Sequence, residues 1–222
     1  MYELRGATKN YGNGGGVVRA VHDVNLSIDE GELVVVAGPS GSGKTTLLQL
    51  LGALDRASSG EVLFEGRDLA KTSDSDLTEL RLGTIGFVFQ QFNLIPTLTA
   101  VQNVEVALAP SRPSAAARHE RATSLLESVG LAHRRDHLPS QLSGGEQQRI
   151  AIARALANAP RVVLADEPTG NLDTETGDEI VELLASLASE GKQTVIIVTH
   201  DVGVAKRAPR VVRMRDGQLL QA

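Results

Sequence analysis

Residues 33–46 read LVVVAGPSGSGKTT, an apolar β-branched run that passes through a glycine-rich turn into a helical pattern, KTTLLQLLGAL. No other stretch constrains the fold as much. A continuously apolar strand is buried on both faces, which points to a parallel sheet covered by helices. The spacing G-x-x-x-x-G-K-[ST] then sets backbone N–H groups, a lysine and a hydroxyl around one point at a helix N-terminus. Gly38, Pro39, Ser40, Gly41, Ser42, Gly43, Lys44, Thr45 and Thr46 are therefore expected to cradle the phosphates of a nucleotide. The N–H groups of 41–45 would wrap the β-phosphate, Lys44 would reach the β- and γ-oxygens, and Thr45 would ligate Mg²⁺.

Similar apolar runs recur at 62–64, 85–89, 161–165 and 194–198, with helical patterns between several of them. This alternation predicts an α/β core with a mostly parallel sheet. Residues 2–28 and 60–68 suggest an antiparallel β layer, and MRDGQLL at 214–220 a hairpin through Asp216-Gly217. GNGGG at 12–16 precedes a strand and lacks a lysine, so it reads as a flexible turn rather than a second phosphate loop. Between 92 and 158 the alternation stops. Thr99 caps one helical pattern, Gly130 stops a second, and HLPSQLSGGEQQRIAIARALANAP carries a third, ended by Pro160. The expected organisation is one domain over 1–222, with 1–91 and 159–222 as the core and 92–158 as an inserted α-helical subdomain.

The 222 residues are enough for such a domain, and the net charge of −5 gives no global attraction to nucleic acid or an anionic membrane. Cysteine is absent, which excludes disulfides. The N-terminus has no signal-peptide core, and the longest apolar run, 33–37, is far short of the ~20 residues that span a bilayer. A soluble, cytoplasmic chain is expected.

Three further strand ends carry polar residues. RVVLADE (161–167) places Asp166 at the carboxyl edge of the sheet, where ligands bind, as a candidate for Mg²⁺, with Glu167 as general base for an attacking water. His200, closing TVIIVTH, falls on the same edge and could contact a γ-phosphate, and Gln90 closes IGFVFQ. LSGGEQQR (142–149) has the glycines of a phosphate site at a helix start but no lysine.

Taken in order, GPSGSGKT, Gln90, LSGGEQQR, VVLADE, NLD with Asp173, and His200 resemble the nucleotide-binding subunit of an ATP-binding cassette (ABC) transporter over essentially the whole chain. The resemblance implies a P-loop NTPase (RecA-like) core and ATP hydrolysis with ATP and Mg²⁺. Glu167, His200 and Gln90 would be catalytic, Thr45, Gln90 and Asp166 would serve the metal, and Tyr11 would stack on adenine. It also implies a head-to-tail dimer, expected to be a homodimer, in which Ser143, Gly144, Gly145 and Asp173 of one subunit meet ATP held by the Lys44 loop of the other. That would explain a phosphate site without a lysine. Glu146 stands where many members carry Gln, and its added negative charge argues against a phosphate contact from that side chain.

QQFNLIPTLTAVQNV (90–104) and ADEPTGNLD (165–173) are similar to the lipoprotein-release and macrolide-export class. This implies an integral membrane permease as partner, a peripheral position on the inner face of the membrane, and a permease groove after Gln90 formed by Phe92, Leu94, Ile95 and Leu98. A GTPase would show N-K-x-D, which is absent, and a small-molecule kinase has no use for LSGGEQQR. The remaining alternative is a soluble ABC ATPase acting on nucleic acid or the ribosome. Against it, the interval from Lys44 to Ser143 holds no sustained heptads, and the chain carries one cassette.

Overall fold

A computed structural model describes residues 1–12, 16–189 and 193–220. The GNGGG turn therefore falls largely outside the described residues.

Among the described residues, ten strands form two sheets. In the first, β1 (Tyr2–Tyr11) pairs antiparallel with β2 (Val18–Ile28) and β4 (Ser59–Phe64), and β4 with the short β5 (Arg67–Asp68). This is the expected antiparallel layer. The second sheet has β3 (Leu33–Ala37) beside β8 (Thr194–Thr199), followed by β7 (Val162–Asp166) and β6 (Ile85–Phe89), all parallel. On the other side of β3 lies β9 (Arg210–Arg215), also parallel, and β10 (Gln218–Leu220) closes that edge as an antiparallel hairpin strand. Asp216 and Gly217, with φ of 49° and 81°, make the expected tight turn between them.

Strand alternation divides the interior into two cores. Val34, Val36, Val162, Leu164, Ile196 and Val198 pack with the antiparallel layer and with α1 (Lys44–Leu51). Leu47, Leu48, Leu50 and Leu51 of that helix are fully buried, each contributing about 1.5–3 kcal/mol. The opposite face, with Val35, Val163, Ala165, Val195 and Ile197, packs against α5 (Gly144–Ala155) and α6 (Thr174–Ser189). The same core takes in α3 (Ala100–Leu108) and α4 (Ala115–Ser128). Thr99 caps α3 through a reciprocal box with Gln102, and Ser114 caps α4.

Three helices depart from the sequence expectation. The third helix of the 92–158 segment is only α5: a short 3-10 turn at Pro139–Gln141 and the extended Ser143 precede it, and it ends at Ala155, well before Pro160. Proline at 139 disfavours helix in the residue before it, and Ala159 takes a left-handed φ of 51° ahead of Pro160. Helices α2 (Asp74–Gly83) and α7 (Val202–Arg207) were not anticipated. They bury only Leu77 and Val204, so their apolar stripe is too thin to read, although Ser73 and Asp201 cap them.

Candidate active site

Strands β3, β6, β7 and β8 run parallel, so their carboxyl ends open on one edge. That edge carries Gly38, Gln90, Asp166 with Glu167, and His200. Residues far apart in sequence thus converge on one cleft, lined among others by Ser40, Gly41, Lys44, Gln90, Glu167 and His200.

The glycine-rich loop owes its path to contacts that no side chain could survive. A Cβ at Gly38 would lie 2.1 Å from the carbonyl oxygen of Met214, and one at Gly43 2.0 Å from that of Ala20, with φ of 100° there. The β9–β10 hairpin braces the loop from behind, since Gly217 N–H donates to the Ser42 carbonyl at 3.0 Å. Gly43 is the N-cap of α1 and supplies no side-chain bond, so the first N–H groups of that helix have no intrahelical acceptor. This is the donor array that an anion requires. One of the donors in the expected wrap of 41–45, the Ser42 N–H, bonds the Pro39 carbonyl at 3.2 Å. The Lys44 ammonium lies inside the loop, 2.9 Å from the Gly38 carbonyl, 3.0 Å from that of Pro39 and 3.7 Å from the Glu167 carboxylate.

The carboxylates are held differently. Thr45 donates its hydroxyl to Asp166 at 3.1 Å, and burial, together with the neighbouring Glu167 charge, raises the Asp166 carboxyl above its ordinary range. A hydroxyl and a desolvated carboxylate in contact are hard oxygen donors of the kind Mg²⁺ takes, and a cation there would relieve the cost of the buried charge. Glu167 sits in the left-handed region, φ 47°, a strain of about 1–3 kcal/mol. It is fixed there by its N–H to Val198 and by Gly170 N–H to its carbonyl, at 2.9 and 3.0 Å. One carboxylate oxygen, Oε2, receives the Thr199 hydroxyl at 3.0 Å and His200 N–H at 3.2 Å. Gln90 folds across Gly170, where a Cβ would fall 2.7 Å from its side-chain amide nitrogen, and its backbone carbonyl accepts from the Asn171 amide at 2.9 Å.

Other expected site residues stand apart. Tyr11 is 39% exposed, its hydroxyl donating to Asp55 at 2.9 Å and the Lys9 ammonium 5.0 Å from its ring. Asp173 caps α6, accepting from the Thr176 N–H and hydroxyl at 3.0 and 2.7 Å. Ser143, Gly144 and Gly145 open α5 and do not line the Lys44 cleft of their own chain. Glu146 turns back into its own cap, accepting from Ser143 N–H at 2.8 Å and from Arg134 at 2.9 Å, so its charge is spent within the chain. Sequence reasoning missed Thr199, Asn171, Gln148 and Arg154. Their polarity within otherwise ordinary strand, turn and helix patterns gave no sign of their partners.

The loop, the carboxylate pair and their place on the sheet define a P-loop nucleotide-binding ATPase. More narrowly, the chain belongs to the ABC transporter family, whose model matches residues 21–170. It is 50% identical over 99% of its length to an uncharacterized ABC transporter ATP-binding protein of Thermotoga maritima, covering 93% of that protein. It is equally identical, over 99% of its length, to the macrolide export ATP-binding/permease protein MacB 1/2 of Paracoccus denitrificans, of which it spans only 33%. A dimeric ATP-binding cassette, MJ0796, solved in a post-hydrolysis state with ADP and Pi, superposes with a TM-score of 0.91 at 46% identity, covering 100% of this chain and 97% of that one. MJ0796 is an ABC transporter ATP-binding protein of Methanocaldococcus jannaschii. The present chain is an ATP-binding, ATP-hydrolysing cassette.

Proposed function

We propose that this cassette works as one half of a head-to-tail homodimer that hydrolyses Mg²⁺-ATP to drive a separate integral membrane permease. The observation that carries the reading is the separation of its two phosphate-type sites. The Lys44 loop opens on the sheet edge, whereas Ser143, Gly144 and Gly145 start α5 outside that cleft. The Ser143 oxygen accepts from Glu146 N–H, so its hydroxyl proton remains available, and the first N–H groups of α5 have no intrahelical acceptor. A donor array without a cation suits the γ-phosphate of ATP already held by a partner's lysine. Asp173, beside this array at the start of α6, would face the same nucleotide.

Tyr11, outside the lining of the Lys44 cleft, would stack on adenine at its rim, and the loop donors with Lys44 would bind the phosphates. Thr45 and Asp166, with Gln90, would hold Mg²⁺, which when bound would screen charge on the β- and γ-phosphate oxygens. Glu167 would take the proton of a water attacking the γ-phosphorus, while ADP leaves with its β-phosphate oxygens still bonded to the loop. His200, against the Glu167 carboxylate, would orient it and reach the γ-phosphate.

The helical segment 92–158 would be the subdomain that meets the permease, within a single domain over 1–222. No helix among the described residues is long and apolar enough to cross a membrane. The permease would therefore hold the cassette at the inner face of the membrane, and no direct nucleic-acid contact is expected.

Mixing two inactive variants tests the composite site. Ser143→Arg would block closure over the partner's ATP, and Lys44→Ala would remove the loop's cation. In a mixed dimer both defects fall on one site and leave the other whole, so ATPase activity absent from both parents should return in part. Crosslinking first establishes that mixed dimers form. A fully active Ser143→Arg protein would refute the arrangement.

A further inference from the structure

Helix α5 carries two polar side chains, one buried and one half-buried, that donate to backbone carbonyls of other segments. Gln148 is 0% exposed and donates to the Pro168 carbonyl at 2.8 Å, with a longer contact of 3.5 Å to Phe89. Its Oε1 is buried and meets no donor among the described residues. Six residues on, half-buried Arg154 donates to the carbonyl of Phe92 at 2.8 Å and to that of Asn93. No carboxylate pairs with it among the described residues. An orphaned amide oxygen and a desolvated guanidinium without a counter-charge are both costly, and an apolar side chain would pack an ordinary helix more cheaply.

The four carbonyls share one feature. Phe89 and Phe92 bracket Gln90, with Asn93 next in line, and Pro168 follows Glu167 directly. Asn93 holds a left-handed φ of 52° and Glu167 one of 47°, so each segment has a strained residue beside the point where α5 grips it. Backbone in that region relaxes unless its surroundings fix it.

We infer that Gln148 and Arg154 are positioning residues, through which α5 sets where Gln90 and Glu167 stand in the cleft. Neither lines the Lys44 cleft. Because Ser143 caps the same helix, a shift of α5 on closing over a partner's nucleotide would move both catalytic segments of its own chain together. The inference rests on the assignment of Gln90 and Glu167 to the site.

The test is a double-mutant cycle in the full-length protein. Arg154→Met keeps length and apolar volume but removes the donors, and Arg154→Lys restores the charge and one donor direction. For Arg154→Met the expected result is a fall in kcat on the order of 10- to 100-fold, as for a displacement of about 1 Å, with the Kd for a fluorescent ATP analogue little changed. Arg154→Lys should recover part of the loss. Gln148→Leu should act in the same direction. In the Gln90→Ala background, Arg154→Met should add no more than about a twofold further loss, since residues acting as a unit are not additive.

Multiplication of the two losses would overturn the inference, as would an Arg154→Met protein with a lowered melting temperature and wild-type kcat. If Arg154→Met does not fold, Arg154→Lys enters the cycle in its place and is read by the same rule. Wild-type turnover in Gln90→Ala alone would instead overturn the site assignment, which keeps the two failures distinct.

Discussion

Nδ1 of His200 lies 3.0 Å from Oε2 of Glu167, the oxygen that also receives the Thr199 hydroxyl. That oxygen is saturated. Oε1 lies 3.7 Å from the Lys44 ammonium and would be the oxygen that takes the proton of water in the proposed mechanism. Glu167→Gln keeps the shape and the acceptor toward Thr199 but removes the carboxylate proposed as the base. Hydrolysis should drop about 10²–10⁴-fold while ATP binding persists, and an ATP-bound dimer should accumulate. Phosphate release and size-exclusion chromatography report both, and wild-type turnover would remove Glu167 from its role.

The Asp166 carboxyl is raised chiefly by burial, then by the charge of Glu167. Without a cation, the folded state binds this proton more tightly than the unfolded chain. Its contribution to stability is therefore largest at low pH and declines as pH rises from the ordinary aspartate range through the raised value. Under the proposed assignment the Asp166 carboxylate holds Mg²⁺, so apparent Mg²⁺ affinity should climb over the same window and then level off. Asp166→Asn should abolish that climb. Thr45→Val, which removes the hydroxyl 3.1 Å away, should raise the Mg²⁺ requirement about 10- to 100-fold. Magnesium titrations of ATPase activity at several pH values check all three.

Phe92, Leu94, Ile95 and Leu98 were expected to share a permease groove, but they are not equally free. Leu94 packs against the helical core, whereas Ile95 is 39% exposed. Leu94→Arg should therefore destabilise the fold by several kcal/mol, as an unpaired charge in a packed contact does. Ile95→Arg should leave the melting temperature and the ATPase activity of the isolated cassette intact yet impair coupling to a permease. Unimpaired transport by a folded Ile95→Arg protein would exclude the contact.

Glu146 closes the cap of α5, and the Ser143 N–H, then Arg134, hold its carboxyl below the ordinary glutamate range. The stabilisation is complete above that range and disappears as pH falls through the lowered value. Glu146→Gln preserves an acceptor but not the charge, so it should cost no more than about 1 kcal/mol at neutral pH. The difference in melting temperature from wild type should vanish in acid. A difference that persists in acid would mean that the charge of Glu146 is not its source.

The sequence by itself determined everything that depends on local period or fixed spacing. LVVVA, IGFVF and TVIIV fell within a residue of the strands they form, because a strand buried on both faces is written as an unbroken apolar run. The loop at 38–46 was legible because its chemistry demands particular residues at particular intervals, and the Asp216-Gly217 turn because its φ values favour such a pair. Helix limits around Pro139 and Pro160 were misread, and α2 and α7 were missed, where capping and thin burial outweighed periodicity. Only the tertiary structure decided which polar groups meet. That Arg154 would grip the chain beyond Gln90, that Glu146 would turn to Arg134, and that Gly217 would brace Ser42 all depend on contacts between segments distant in sequence. Such a contact is fixed by how helices and sheet pack, and a polar side chain within an ordinary pattern carries no record of the carbonyl it will find.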